Sequence, residues 1–157
     1  MAKRKDTAAA QTFVFEQTRV ARYVALPETA GGFTVPDRSG ISDRHFQPIE
    51  FPGLIESASV IYYRTRHTGR PSFSVRINQA TLTRFTFTDD DPPERSWHEI
   101  IPARVPGGST LSAQNNELVF AVSGSGAVTF GDVVILYTSN ELTVKIPIVL
   151  TAQLPPK

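Results

Sequence analysis

The chain contains no cysteine, and among its 157 residues only 1 Met, 1 Trp and 3 His occur. Without cysteine there can be no disulfide and no thiolate-bound metal. That fits a reducing compartment and does not exclude export. His45, His67 and His98 form neither an H-x-x-x-H nor an H-E-x-x-H pair, so the helical zinc motifs are absent. No apolar run approaches the roughly 20 residues that cross a bilayer as a helix. The formal net charge is +1, so no global field draws the chain to nucleic acid or to a membrane. Lys3, Arg4 and Lys5 open the sequence without the apolar stretch that would make them a signal peptide. Cytoplasmic synthesis is therefore expected.

What the chain does have is strand-forming material and punctuation. It carries 10 Phe, 12 Pro and 10 Gly, with 40% hydrophobic residues overall. At this length one domain is the default, and such a domain buries about 70% of the surface its unfolded chain exposes. The expected organisation is a basic, solvated arm over 1–11 and a single domain over 12–157.

The stretch 115–137 carries the clearest pattern. Leu118, Phe120 and Val122 alternate with Val119 and Ala121, and Ser123-Gly124-Ser125-Gly126 interrupts them. Val128, Phe130, Val133, Val134, Ile135 and Leu136 follow. Alternation broken by a Gly/Ser segment predicts a β-hairpin turning at 123–126. Gly131-Asp132 predicts a bulge before a central strand, apolar on both faces.

Elsewhere the same logic predicts strands over 12–26 (with a bend near 16–18), 57–66, 72–77, 81–88 and 97–101. Thr68-Gly69-Arg70-Pro71 reads as a turn and Asn78-Gln79 as a tight one. Short strands are compatible with 32–35 and 45–51 inside the long Gly/Pro-rich connection 27–52. A connection of that length is often functional. The stretch 141–150 reads as a separate strand, with Pro147 placing it at an edge. No stretch carries a helical period. The prediction is an all-β, jelly-roll β-sandwich of two antiparallel sheets with at least eight strands. Phe73, Val75, Ile77, Leu118, Phe120, Val133 and Ile135 are the expected core.

Five segments together resemble the galactose-binding-like jelly-roll family, which includes many carbohydrate-binding modules. Residues 57–63 resemble its opening core strand. PSFSVRIN at 71–78 is similar to its hairpin strand ending in Asn-Gly, though Gln79 replaces the Gly. SWHEIIP at 96–102 and QNNELVF at 114–120 are similar to the strand and the G-x-N-x-L motif that follow, with Gln114 or Asn115 where the motif has Gly. GAVTFGDVVILY at 126–137 resembles the closing strand. The resemblance implies a sandwich whose members include sugar binders, accessory domains and purely structural modules. The acidic strand pattern that carries the family's calcium is absent from 13–26. Fold alone does not choose among those roles.

Candidate chemistry is sparse. Ser123-Gly124-Ser125-Gly126 lacks the G-x-S-x-G spacing of a nucleophile elbow, and no motif supports catalysis, a cofactor or a metal site. Asp89, Asp90, Asp91 and Glu94 lack the alternating D-x-D-x-D-G order of a calcium loop and precede or flank two prolines, which reads as a solvated loop. Trp97 is a core aromatic or a sugar platform; with His98, Tyr62 or Tyr63, and Arg64 or Arg66 it would form a binding site. Arg64, Arg66, His67 and Arg70 form a basic cluster suited to the carboxylates of an acidic glycan, to phosphates or to an acidic partner surface, or to guarding an edge. The leading expectation is a non-catalytic structural or assembly protein of virion, tail or appendage type, forming a homo-oligomer. A carbohydrate-binding module is the alternative. No membrane partner is expected, and nucleic acid only at the short basic arm, where three charges make weak contact.

Overall fold

The computed structural model describes residues 14–145. Lys3, Arg4, Lys5 and Phe13, and the expected strand positions Ile146 to Leu150 with Pro147, lie outside the described residues. The strands are β1 (Val14–Ala25), β2 (Phe33–Val35), β3 (Asp43–Ile49), β4 (Ser59–Ile77), β5 (Ala80–Thr86), β6 (Glu94–Ile101), β7 (Arg104–Val105), β8 (Gly108–Ser109) and β9 (Asn116–Lys145). A single 3-10 turn, Pro27–Thr29, follows β1, and the described residues contain no α-helix.

Two long strands organise the rest. β4 pairs antiparallel with β9 along nearly all of β4, from Val60 opposite Leu136 to Ile77 opposite Leu118, and β9 continues beyond it to Lys145. β6 and β5 flank the two ends of β4, while β1, β2 and β3 flank β9. β7 and β8 form a small separate sheet. The ribbon folds over, so its two ends lie in opposite layers. Rings from both ends meet between the layers. Tyr63 lies 5.7 Å from Phe120, Trp97 5.1 Å from Phe85, and Phe33 5.0 Å from Phe46, centroid to centroid. The fold is the all-β sandwich of antiparallel strands that the alternation implies. All seven expected core residues are buried.

The ribbon overturns two of the expected turns. Ser123-Gly124-Ser125-Gly126 is not a hairpin turn, because β9 continues unbroken through it. Thr68-Gly69-Arg70-Pro71 is not a turn either, because β4 runs through it opposite those same residues. Both glycine-rich stretches mark one place, where two backbones cross closely as the ribbon turns from one layer to the other. Gly69 pairs with Gly126. A Cβ on Gly126 would stand 1.9 Å from the Thr68 carbonyl oxygen, with φ at +124°. One on Gly69 would stand 2.7 Å from the Ser125 oxygen, with φ at +73°. Sequence pattern alone does not separate a turn from such an overbend, since both need glycine for the same steric reason.

The Gly131-Asp132 bulge is present. Between Tyr62 opposite Val134 and Arg64 opposite Gly131, β9 carries one extra residue. Asp132 takes φ 52° there. The extra residue changes which side faces in. Before it Leu118, Phe120, Val122, Val128 and Phe130 are buried; after it Val133, Ile135 and Tyr137 are.

Two further expectations change. β1 keeps an unbroken register with β9, so no bend near Glu16 splits it. Residues 141–145 are the continuation of β9, not a new strand.

A polar cluster closes one end of the sandwich. The fully buried Asn116 side chain donates to the Ile49 oxygen at 2.9 Å and the Ser112 oxygen at 2.7 Å. Its own oxygen accepts from Asn78 Nδ2 at 2.9 Å and from the Ser112 backbone at 2.9 Å. Asn78 donates also to the Thr110 oxygen and accepts from the Glu117 backbone. Two asparagines thereby satisfy the ends of four segments where no strand partner continues.

Two substitutions measure these constraints. Gly126→Ala should cost at least about 3 kcal/mol, from overpacking plus a left-handed Cβ penalty. Gly31→Ala meets nothing within 4 Å and should stay within about 0.5 kcal/mol of the parent. Equal urea midpoints for the two would contradict the close crossing. Phe120→Ala removes a ring packed on Phe33, Phe46, Tyr63 and Phe130 and should cost about 3–5 kcal/mol in the same measurement.

Candidate functional site

Strand alternation decides which of the singled-out residues meet. In β4 the odd-numbered side chains enter the core, so Val60, Tyr62, Arg64 and Arg66 point outward. The register with β6 sets Ile100 opposite Val60, His98 opposite Tyr62, Ser96 opposite Arg64 and Glu94 opposite Arg66. Tyr62, Arg64, Arg66 and His98 therefore share one outer face. The Tyr62 and His98 rings lie 4.9 Å apart, and the Tyr62 hydroxyl is 3.4 Å from Ser96 Oγ.

Trp97 points the other way, into the core. Its indole N–H donates to Thr65 Oγ1 at 2.8 Å. Tyr63 stacks parallel to it, and the Arg95 guanidinium lies 4.3 Å from its ring centroid. Trp97 thus presents no open face on which a sugar could stack. Tyr63 is equally internal: its hydroxyl donates to Thr83 Oγ1 at 3.0 Å, and burial holds its pKa well above the ordinary tyrosine value.

The basic cluster is matched charge for charge. Arg64 pairs with Asp132 at 3.0 Å, which the bulge delivers to this face. Arg66 Nε donates to Glu94 at 2.8 Å, and Arg70 Nε to Asp89 at 2.7 Å. The hydrogen bond from Arg70 is the main reason the Asp89 carboxyl sits below its ordinary pKa. His67 stands apart, its ring stacked on Phe87 at 3.9 Å. Asp91 turns back on its own loop and accepts from the Thr88 N–H and hydroxyl, which lowers its pKa. The acidic loop is consumed in separate contacts, and among the described residues no group of three or more potential ligands gathers round a metal position. Between the Arg pairs and Gly31-Gly32 lies a polar cleft of about 240 Å³. With Asp132 and Glu94 in its lining it carries no excess of positive charge.

The feature the sequence reading missed is apolar. Ile100, Val60, Leu136 and Tyr23 lie directly across from one another on β6, β4, β9 and β1. All four point outward, and Ile100 and Tyr23 are each 71% exposed. The same side continues along β1 and β9 to Leu142 and to the cross-strand pair Phe15 and Val144. Of the nine large apolar residues exposed among the described residues, only Val14 and Ile41 lie off this face. Alternation signals that a strand has two sides. It does not say that both sides of these strands are apolar for different reasons, one for the core and one for solvent.

A second cluster sits where β3 meets β9. His45 Nδ1 is 2.7 Å from Glu117 and Nε2 is 3.0 Å from Asp43. With a carboxylate at each nitrogen the ring is held as a double donor, and its pKa is raised, mainly by the Glu117 hydrogen bond and then by Asp43. Such an imidazolium is a clamp, since neither nitrogen is left to take a proton from a substrate. The adjoining groove, about 810 Å³, runs between β2, the 36–42 connection and β3. The long connection is ordered by Asp37, which accepts from the Ser39 and Ile41 backbones.

Comparison of the chain with family models, with curated proteins and with solved structures returned no match.

The clamp predicts a pH dependence with a definite sign. In the folded chain the pKa of His45 lies above the ordinary histidine value of 6.5. Its stabilising contribution is therefore full below that unfolded value and fades as pH rises through the folded one. The His45 imidazole should titrate by NMR with a midpoint above 6.5, the unperturbed value, and Glu117→Gln should bring the midpoint down. A midpoint unmoved by Glu117→Gln would remove the clamp.

Proposed function

We propose that this chain is a non-catalytic structural subunit that assembles with copies of itself, of the virion, tail or appendage kind. One observation carries the reading: a row of outward-facing apolar side chains, one from each strand across β6, β4, β9 and β1, extended along the β1–β9 ribbon. Monomeric proteins rarely leave a contiguous apolar face of that extent in water, and a larger one marks a contact surface. The matched Arg–carboxylate pairs beside it add polar contacts without a net field that would repel a second copy. Enzymatic activity has little support, because the histidine best placed for acid–base work is held between two carboxylates.

The carbohydrate reading has less support. It needs Trp97 as its aromatic platform, and that ring is enclosed by Tyr63 and Arg95. Tyr62 and His98 remain on the outer face with their rings tilted 53° to each other, and the depression beside Tyr62 is otherwise lined by the polar and charged side chains of Arg64, Glu94, Arg95 and Ser96, with no second aromatic ring.

The test is the size of the purified protein by light scattering over a wide concentration range. Ile100→Glu with Leu136→Glu places charge on the exposed row and leaves the core untouched. These exposed positions should change monomer stability by no more than about 1 kcal/mol. The parent should associate as concentration rises, and the substituted protein should do so at least about tenfold less readily, since each 1.4 kcal/mol of lost contact is tenfold. A parent that stays monomeric throughout overturns the proposal.

A further inference from the structure

β1 is the edge of its layer. It pairs with β9 along all 12 of its residues, and among the described residues no strand pairs with its other side. Almost every one of its side chains is exposed, and only Val24 packs against the core from one side. Where β1 runs beside 141–145 it forms, among the described residues, a two-stranded ribbon that a third strand would complete. Two-stranded ribbons are marginal alone in water. A long unpaired edge is a template for another strand.

The β1 sequence is complementary to itself. We infer that β1 pairs antiparallel with β1 of a second copy about a two-fold axis at Arg19, joining the two outer layers into one continuous sheet. This rests on the assembly reading above and adds the surface, the partner and the register. A two-fold axis perpendicular to the sheet keeps each face on its own side, so residues directly opposite must share a face. With Arg19 on the axis, Phe15 of one copy comes opposite Tyr23 of the other, twice. Both rings belong to the exposed apolar face. Aromatic cross-strand pairs are among the stabilising ones. On the opposite side Glu16 comes opposite Arg22, and Val14 opposite Val24. The apolar row then runs unbroken from Ile100, Val60, Leu136 and Tyr23 of one copy to Phe15 and Val144 of the other.

Neighbouring registers lose these matches. A shift that places Val20 on the axis sets Glu16 against Val24 and Gln17 against Tyr23. A shift to Thr18 sets Phe15 against Ala21 and Val14 against Arg22. The favoured register has one unfavourable contact, Arg19 opposite itself, set against two Phe15–Tyr23 pairs; Arg22, which already pairs with Glu141 at 3.9 Å, comes opposite a carboxylate and not a like charge.

The absence of cysteine makes the register directly readable. Arg19→Cys places a lone thiol opposite its own copy, with Cα atoms about 4.5–5.5 Å apart across an antiparallel pair, inside the disulfide range. Gln17→Cys places its thiol opposite Ala21, roughly 14 Å along the strand from its copy. Under mild oxidation of the full chain, Arg19→Cys should form linked dimer at least about ten times more fully than Gln17→Cys. Phe15→Lys with Tyr23→Lys, with its fold checked by circular dichroism, should weaken the dimer at least about tenfold by setting like charges opposite each other. A dimer that forms but links no better at residue 19 than at 17 overturns the β1 register and leaves the assembly reading standing. A chain monomeric at every concentration overturns both. A monomer whose β1 amides are nonetheless protected from hydrogen exchange assigns the edge to the chain's own flanking residues and likewise overturns the inference.

Discussion

Everything in this fold hangs on one close crossing of two backbones. β4 and β9 remain hydrogen-bonded as they pass from one layer of the sandwich to the other, and they can do so because Gly69 and Gly126 face each other there. A side chain at either position would collide with a carbonyl of the opposite strand. Because the ribbon is unbroken, the layers are not two sheets that must find each other. They are two ends of one ribbon, and each short strand needs only to add to an edge already present. β5 and β6 add to β4; β1, β2 and β3 add to β9.

The bulge at Gly131-Asp132 is the second device, and it ties fold to surface. By changing the inward parity of β9 it keeps Phe130 and Val133 both in the core. The same extra residue turns Asp132 outward against Arg64 and sets Leu136 on the outside between Val60 and Tyr23. One inserted residue thus produces both the neutral Arg–carboxylate face and the central member of the exposed apolar row. The opposite end of the sandwich is closed by polar means, through Asn78 and Asn116. Interiors tolerate such side chains only when each donor and acceptor is matched, as here.

The functional reading follows from where charge and apolar surface fall. Positive charges that look like a binding cluster in one dimension are neutralised in three, because Asp132, Glu94 and Asp89 arrive from distant segments. Apolar residues that look like core in one dimension are left facing water. The edge of β1 lies beside that apolar face, so a strand added there would extend both the ladder and the apolar row. Together they favour a surface made for another protein chain over a pocket made for a small ligand.

The sequence by itself determined the strand content, the core and the bulge. Phe73, Val75, Ile77, Leu118, Phe120, Val133 and Ile135 declare themselves because burial of one strand face imposes a period of two, which is a local property. The Asn78-Gln79 turn was legible for the same local reason. Tertiary structure alone decided three things. It made Ser123–Gly126 and Thr68–Pro71 a crossing instead of two turns, because glycine answers equally to a tight turn and to a neighbouring backbone. It sent Trp97 inward and Tyr62, His98, Arg64 and Arg66 outward, because the register of β6 on β4 is set by hydrogen bonds between segments some thirty residues apart. It left Tyr23, Leu136, Val60 and Ile100 in a row facing water, because a cross-strand row exists only once four separate strands have been laid side by side.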